Sequence, residues 1–205
     1  MDWHPKTART DHEVIDLIER RWSPRAFDPG KDISPAALFR LFEAARWAPS
    51  ASNEQPWRFV AASRLRSPDA FAALLSSLST KNRAWAAAAP VLVLVAVHDQ
   101  RAEQAGSNSR ASAWYDAGQA VGFMTLQATA MGLSIRQMEG FDSTRAREAC
   151  AVPASFTPAV VMAIGYAGDP DSLSIESHRS SERQPRTRRP VSEFVFDGQW
   201  DKRFD

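Results

Sequence analysis

Arginine side chains cluster in one short segment near the N-terminus of this 205-residue chain. The segment is Arg20-Arg21-Trp22-Ser23-Pro24-Arg25, in which Arg21 and Arg25 flank the hydroxyl of Ser23. Guanidinium groups bind phosphate through paired hydrogen bonds and keep their charge at any working pH. The segment is therefore a candidate phosphate-binding site, and the alternative is a solvated basic turn at the end of a helix.

A second basic cluster lies far away in the sequence, just before Pro190. Its members are Arg183, Arg186, Arg188 and Arg189. Taken alone, this cluster is typical of a solvated surface tail.

A polar loop with two prolines follows the first cluster by about two dozen residues. It runs from Pro49 to Trp57, and we call it the polar loop. Its prolines restrict the backbone, while side-chain donors and acceptors suited to the edge of a planar heterocycle come from Ser50, Ser52, Asn53 and Gln55. Together with the arginines, this pattern indicates a ligand with a phosphate at one end and a hydrogen-bonding ring at the other, which is the shape of an FMN nucleotide. The alternative is a rigid polar surface loop.

Helical signals lie on both sides of the first arginine cluster. Thr10-Asp11-His12-Glu13 has capping-box spacing and predicts a short helix that ends at Arg20 and Arg21. That helix is expected to turn three apolar residues inward: Val14, Ile15 and Ile18. A second helix is predicted from the Ser34-Pro35 cap to about Trp47, where Pro49 prevents its continuation.

The remaining pattern alternates strands and helices. Strands are predicted at 58–62, 91–97 and 159–164, and the uninterrupted apolar run 91–97 is typical of a strand buried on both faces. A helix is predicted to start at Ser67-Pro68. The longest helix is predicted from about Trp114 to Met131, with Gly132 at its left-handed cap. One small-residue face of that helix is suited to close helix packing: Ala117, Gly118, Val121, Gly122 and Ala128.

Three stretches are less regular. Asp99 to Ala113 is polar and small and is predicted to be a mobile loop or lid. The segment 168–189 is a hydrophilic excursion, and 190–205 is a C-terminal arm in which 191–196 alternates like a strand with one apolar face. We expect one domain over 1–205 in the α+β class, with helices around a mixed, mainly antiparallel sheet.

Composition and missing motifs exclude several function classes. A net charge of +1 argues against nucleic acid as the main partner, and no stretch approaches the length of a membrane span. The glycines form neither a dinucleotide fingerprint nor a phosphate-binding P-loop, and the four histidines and one cysteine form no metal site. The N-terminus has no apolar signal core, so a cytoplasmic protein is expected. Cys150 is expected to be an ordinary packed residue in a short helix.

An ordered set of motifs resembles the FMN-dependent nitroreductase family. The set covers nearly the whole chain, from about Asp11 to Arg203. It consists of Arg20-Arg21-x-Ser23-x-Arg25-x-Phe27, Ala48-Pro49-Ser50-x-x-Asn53-x-Gln55-Pro56-Trp57, Tyr115-Asp116-Ala117-Gly118, Met131-Gly132-Leu133, Glu139-Gly140-Phe141-Asp142, Ile164-Gly165-Tyr166 and Arg188-Arg189-Pro190. Each motif is weak alone, but the order of all of them is specific.

The resemblance implies which residues surround FMN. Arg21, Ser23 and Arg25 would contact the phosphate and the pyrimidine side of the ring, and Arg186 and Arg188 would close on the phosphate. Asn53 would hydrogen-bond the ring, with the wall shaped by Pro49, Ser50 and Ser52. In the family this wall often comes from the partner subunit, and Gln55 of the same loop is also an expected site residue. The backbone of Glu139 and Gly140 would point at flavin N5. The implied site also includes Trp22, Gln137 and Met138, and the family pattern departs at Trp22 and Gln137.

The resemblance further implies an intertwined homodimer with FMN at its interface, and an NAD(P)H oxidoreductase. Hydride would pass by a ping-pong mechanism from NADH or NADPH to a nitro compound, a quinone or a similar small organic acceptor. The flavin would carry the chemistry, so no catalytic side chain is predicted. Two alternatives stay open: a flavin enzyme of the same fold with dehalogenase or dehydrogenase specificity, and a flavin-binding regulatory protein without turnover.

Overall fold

The computed structural model describes residues 6–99 and 108–204. The predicted lid at Asp99 to Ala113 therefore lies largely outside the described residues. Within them, the sheet has four strands: β1 (Trp57–Ser63), β2 (Val91–Val97), β3 (Ser134–Met138) and β4 (Thr157–Gly165). Their order is β1-β2-β4-β3, and each neighbouring pair is antiparallel. The α+β class with a mainly antiparallel sheet is confirmed.

Seven α-helices surround the sheet in the described part of the chain. They are α1 (Asp16–Arg20), α2 (Pro35–Arg46), α3 (Pro68–Ser76), α4 (Thr80–Ala86), α5 (Asn108–Ala130), α6 (Ser143–Ala149) and α7 (Glu176–Arg183). The helices α2 and α5 pack with one apolar cluster, while α3, α4 and α6 pack with the other. None of the described helices is long and apolar enough to cross a membrane.

The central strand β2 explains why there are two apolar layers. Side chains alternate across a strand, so Val91, Val93, Val95 and Val97 enter one cluster, whereas Leu92, Leu94 and Ala96 enter the other. All seven residues are buried, as the unbroken apolar run predicts. The strand is thus the shared centre of both layers.

The predicted cap of α2 is confirmed. The Ser34 hydroxyl accepts a hydrogen bond from the amide of Ala37, and Pro35 is the first helical residue. After the C-terminal end of the longest helix, α5, Gly132 has the expected left-handed φ of 71°. That helix begins at Asn108, six residues earlier than Trp114, because small polar residues carry only a modest helix penalty and do not stop a helix.

The prediction for α1 was wrong in two respects. The helix begins at Asp16, and its N-cap is Ile15 without a side-chain hydrogen bond, so Thr10 to Glu13 form no capping box. Ile15 and Ile18 are 60% and 46% exposed instead of inward. A helix of five residues presents too short a face to bury both side chains, and α1 has no buried residue.

The C-terminal arm does not form the predicted strand. Val191–Glu193 is a 3₁₀ turn, and the following residues are irregular. Phe194 is 61% exposed and Val195 is 37% exposed. A strand needs a neighbour for its backbone hydrogen bonds, and none of the four described strands lies beside the arm.

Candidate functional site

A cavity of about 170 Å³ is lined by residues from both basic clusters of the sequence. We call it the arginine pocket. It is lined by Lys6, Arg21, Trp22, Ser23, Arg25, Arg136, Ser181, Glu182, Arg186 and Arg188. The fold therefore brings together residues that lie more than 160 positions apart. The lining includes all six residues that the resemblance implies for these two segments: Arg21, Trp22, Ser23, Arg25, Arg186 and Arg188.

Hydrogen bonds fix the relative position of the two clusters. Arg21 Nη1 donates to Ser23 Oγ at 3.1 Å. The Arg186 guanidinium donates from Nη1 to the carbonyl of Arg21 and from Nη2 to the carbonyl of Glu19, each at 2.5 Å. Arg186 thus ties the distal cluster to the backbone at the end of α1. Its Nε is buried and has no acceptor among the described residues.

Two cations of the pocket were missed by the sequence reasoning. Arg136 lies on the edge strand β3 and donates from Nη1 to the carbonyl of Ser23. A charged residue between the apolar Ile135 and Met138 was the available signal. Lys6 comes from the N-terminal segment, donates to two carbonyls at the end of α7, and carries no recognisable sequence signal.

The pocket is strongly electropositive, because six cationic side chains line it together with one carboxylate, that of Glu182. Burial, together with the nearby charge of Arg25, lowers the pKa of Arg136 to about 10. Burial also lowers the pKa of Arg21, with Arg188 as the second cause, and the pKa of Lys6. Lowered cation pKa values mean that the charged forms are held at a free-energy cost that a bound anion would offset.

The polar loop has a strained, internally bonded backbone. Left-handed φ angles of 50°, 55° and 47° occur at Ser52, Asn53 and Gln55. Ser50 Oγ accepts from the amide of Gln55 at 3.0 Å, and Asp116 Oδ2 on α5 accepts from the amide of Ala51 at 2.9 Å. Non-glycine residues in this region cost free energy and persist only when the surroundings impose them. The loop is therefore a pre-formed surface.

The polar loop and the arginine pocket are separate in one chain. No residue from 49 to 55 lines the pocket. Asn53 is exposed, and its Oδ1 accepts from Gln55 Nε2 at 2.9 Å. The two motifs that the sequence suggested as walls of one site are thus not brought together within the described chain.

The Glu139-Gly140 turn connects β3 to α6. The Gly140 carbonyl accepts from the amide of Ser79 at 2.9 Å and from Asn82 Nδ2 at 3.0 Å, which anchors the turn to the start of α4. Its amide has no acceptor among the described residues and lies at the surface. Met138 is 3% exposed, so its side chain belongs to the core and only its backbone could reach a ligand. Gln137 and Glu139 are exposed.

No group of three or more potential metal ligands occurs within 6–99 and 108–204. Cys150 follows α6 and is half-buried, and burial raises the pKa of its thiol. A thiol with a raised pKa is a poor nucleophile at neutral pH. The candidate functional residues described above lie in the arginine pocket, the polar loop and the Glu139-Gly140 turn.

Comparison with known proteins identifies the family of the chain. The model of the nitroreductase family matches residues 18–166. A protein of Xanthomonas oryzae named "Putative NADH dehydrogenase/NAD(P)H nitroreductase" is 31% identical over 193 residues, 86% of this chain and 89% of its own. One of Burkholderia lata with the same descriptive name is 31% identical over 165 residues, 73% and 83% of the two chains. A solved oxidoreductase described as containing FMN is 31% identical, with a TM-score of 0.82 and coverage of 95% and 96%. The chain belongs to the nitroreductase family.

Proposed function

We propose that this protein is an FMN-dependent oxidoreductase. It takes hydride from NADH or NADPH and passes it to a small organic acceptor, a nitro compound or a quinone, in a ping-pong cycle. The observation that carries the proposal is the arginine pocket, in which six cations and one carboxylate surround about 170 Å³. A solved relative that covers almost the whole chain is described as containing FMN, which supports the same ligand.

The residues of the pocket fit the phosphate of FMN. Arg21, Arg186 and Arg188 supply guanidinium donors, and Ser23 supplies a hydroxyl. The buried Nε of Arg186 lacks an acceptor among the described residues, and a phosphate oxygen would satisfy it. A phosphate dianion would also offset the repulsion between Arg21 and Arg188 that lowers the pKa of Arg21.

Bound FMN would supply the redox chemistry by accepting and releasing hydride at the ring. The side chains of this protein position the reactants and stabilise charge. Arg25 is a partly buried cation in the pocket, suited to stabilise negative charge on the pyrimidine side of the ring. The exposed amide of Gly140 is a suitable donor to the ring edge.

The same proposal includes a homodimer with FMN at the interface. The polar loop does not reach the arginine pocket in its own chain, so a loop from a second copy would complete the ring-binding wall. On α5, Cβ atoms built at Gly118 and Gly122 would meet no atom within 4 Å, and Tyr115 and Phe123 are 71% and 45% exposed. Ala117, Val121 and Ala128, the other members of the predicted small-residue face, are buried in the core. The two exposed glycines with the aromatic rings beside them are suited to helix packing against another chain.

Purified protein tests the proposal directly. We expect a yellow protein with a flavin spectrum, or colourless protein that takes up added FMN. Anaerobic addition of NADH or NADPH should then reduce the flavin, and a quinone or nitroaromatic compound should reoxidise it. A flavin that neither nucleotide reduces would indicate a same-fold enzyme of another specificity, such as a dehalogenase or dehydrogenase. Protein that binds no FMN would contradict the proposal.

A further inference from the structure

The hydrophilic segment 168–189 contains α7, which lies beyond the range 18–166 that matches the family. This helix places two residues in the arginine pocket, Ser181 and Glu182. We propose that α7 is part of the cofactor site, and that Glu182 is a positioning residue that acts on the ligand through Arg25. The inference rests on the proposed binding of FMN.

The carboxylate of Glu182 contacts both the backbone and a side chain of the segment 23–26. Its Oε2 accepts from the amide of Arg25 at 3.1 Å and from the amide of Ala26 at 3.4 Å. Its Oε1 lies 4.0 Å from Arg25 Nη1. Because the Glu182 side chain is only 2% exposed, these bonds form with little competition from water.

A buried carboxylate is an unexpected component of an anion site, because it repels a bound phosphate. Burying its charge is also costly unless hydrogen bonds and a cation satisfy it. The Arg25 amide at 3.1 Å is the main donor here, and the Ala26 amide at 3.4 Å and the Arg25 guanidinium at 4.0 Å add weaker contacts. The geometry therefore assigns Glu182 the role of holding the backbone and side chain of Arg25 in position. The cations of the arginine pocket have the role of contacting the anion.

Further contacts hold α7 against the pocket. Arg25 Nη1 donates to Ser181 Oγ at 3.0 Å, so the guanidinium is oriented by two consecutive residues of the helix. Lys6 donates to the Ser181 carbonyl and, at 2.6 Å, to the Gln184 carbonyl. These carbonyls belong to the last turn of the helix, where backbone acceptors have no intrahelical donor. Lys6 thus fixes the end of α7 that carries Glu182.

A double-mutant cycle on FMN affinity tests the role of Glu182. Glu182→Ala should raise the Kd for FMN by about tenfold or more, because Arg25 loses its hydrogen-bonded support. Glu182→Gln keeps an oxygen acceptor for the two amides and should stay within about threefold of the parent protein. In an Arg25→Ala background, Glu182→Ala should change the Kd by less than about twofold, because residues that act as a unit are non-additive.

A matched control is available on the same helix. Glu176 is a carboxylate whose side chain is 77% exposed and which pairs with Arg179. Glu176→Ala should leave the Kd for FMN unchanged. Additive effects of Glu182→Ala and Arg25→Ala, or a Kd of Glu182→Ala equal to that of the parent, would overturn the inference.

The cycle separates this inference from the proposed function. If the parent protein binds no FMN, the proposed function fails; if it binds FMN and Glu182→Ala is silent, only the role of Glu182 fails. Should Glu182→Ala not fold, Ser181→Ala removes only the hydroxyl acceptor of Arg25 Nη1. That variant should raise the Kd by about three- to fivefold, and an unchanged Kd would count against the inference.

Discussion

The Arg136 guanidinium donates a hydrogen bond to the carbonyl of Ser23 and so joins the edge strand β3 to the segment 21–25, which lines the arginine pocket. The same guanidinium lies 5.5 Å from the centre of the Trp85 ring. Arg136 therefore connects the apolar cluster that contains Trp85 with the arginine pocket. The fold keeps this charge partly buried, and the lowered pKa of Arg136 shows that burial disfavours its charged form.

Replacing Arg136 by methionine should weaken FMN binding. The change keeps the length of the apolar stem but removes the donor to Ser23 and one cation of the pocket. We expect the Kd for FMN to rise by about tenfold, measured by fluorescence titration. Arg145 on α6 is a matched control, because its side chain is 69% exposed and it does not line the pocket. An equal effect of Arg145→Met would contradict the assigned role of Arg136.

The pKa of His178 should report occupation of the pocket. Burial lowers this pKa from its ordinary value of 6.5, and the charges of Arg25, Arg136 and Lys81 lower it further. A phosphate dianion in the pocket would offset those charges, so the pKa should rise when FMN is added. Titration of the His178 ring signals by NMR, with and without FMN, measures the shift. A pKa that does not move on FMN binding would count against the pocket as the phosphate site.

The same lowered pKa predicts how stability depends on pH. The folded protein resists protonation of His178, whereas the unfolded chain accepts the proton near pH 6.5. The contribution is therefore fully present above about pH 6.5 and is lost as the pH falls through that value and through the lower folded pKa. Urea unfolding between pH 5 and 8, roughly the range in which histidine titrates, measures the free energy of unfolding at each pH. This free energy should change less with pH in His178→Gln than in the parent protein.

Gly140 should not tolerate a side chain. A Cβ at this position would lie 2.9 Å from Asn82 Nδ2 and 3.1 Å from Ser79 Oγ, so either the Asn82 side chain, which binds the Gly140 carbonyl, or the turn would have to shift. Gly140→Ala should lower the rate of flavin reduction by about tenfold, because a displaced turn no longer positions the ring for transfer. FMN affinity should change less, since the arginine pocket is intact.

A second substitution makes the Gly140 prediction specific. Asn82→Ala removes the closer of the two contacts and should alone have a small effect. The double variant Asn82→Ala/Gly140→Ala should recover part of the lost rate in stopped-flow reduction by NADH or NADPH. If the double variant is as slow as Gly140→Ala, or slower, the steric explanation is wrong.

Asp116 should stabilise the polar loop. Its side chain is buried and accepts from the Ala51 amide at 2.9 Å, next to the three residues with left-handed backbone. Asp116→Ala leaves that amide without its acceptor and should lower the free energy of unfolding by about 1–3 kcal/mol in urea. Asp116→Asn keeps an oxygen acceptor and should lose less.

Gln119 provides the control for the Asp116 prediction. It donates to the other oxygen of the same carboxylate, but at 3.4 Å, so this bond is weak. Gln119→Ala should change stability by less than about 0.5 kcal/mol. Equal losses in Asp116→Ala and Gln119→Ala would show that the buried carboxylate has no special role at the loop.

Local sequence patterns determined much of the secondary structure. The buried run 91–97, the Ser34-Pro35 cap and the Gly132 end of α5 are confirmed because each depends on interactions within a few residues. The arginine motifs at both ends of the chain also identified residues of one pocket. That success came from the order of the family motifs, because neither basic cluster alone distinguishes a phosphate site from a solvated surface.

Tertiary structure decided what those local patterns could not. Lys6, Arg136 and Glu182 enter the arginine pocket from three distant segments, and no local periodicity encodes such a meeting. Residues 191–196 of the arm alternate like a strand. They form no strand, because strand formation depends on hydrogen bonds to a neighbouring strand. The sequence thus determined the local elements and the donor groups, and long-range packing determined which of those groups share one cavity.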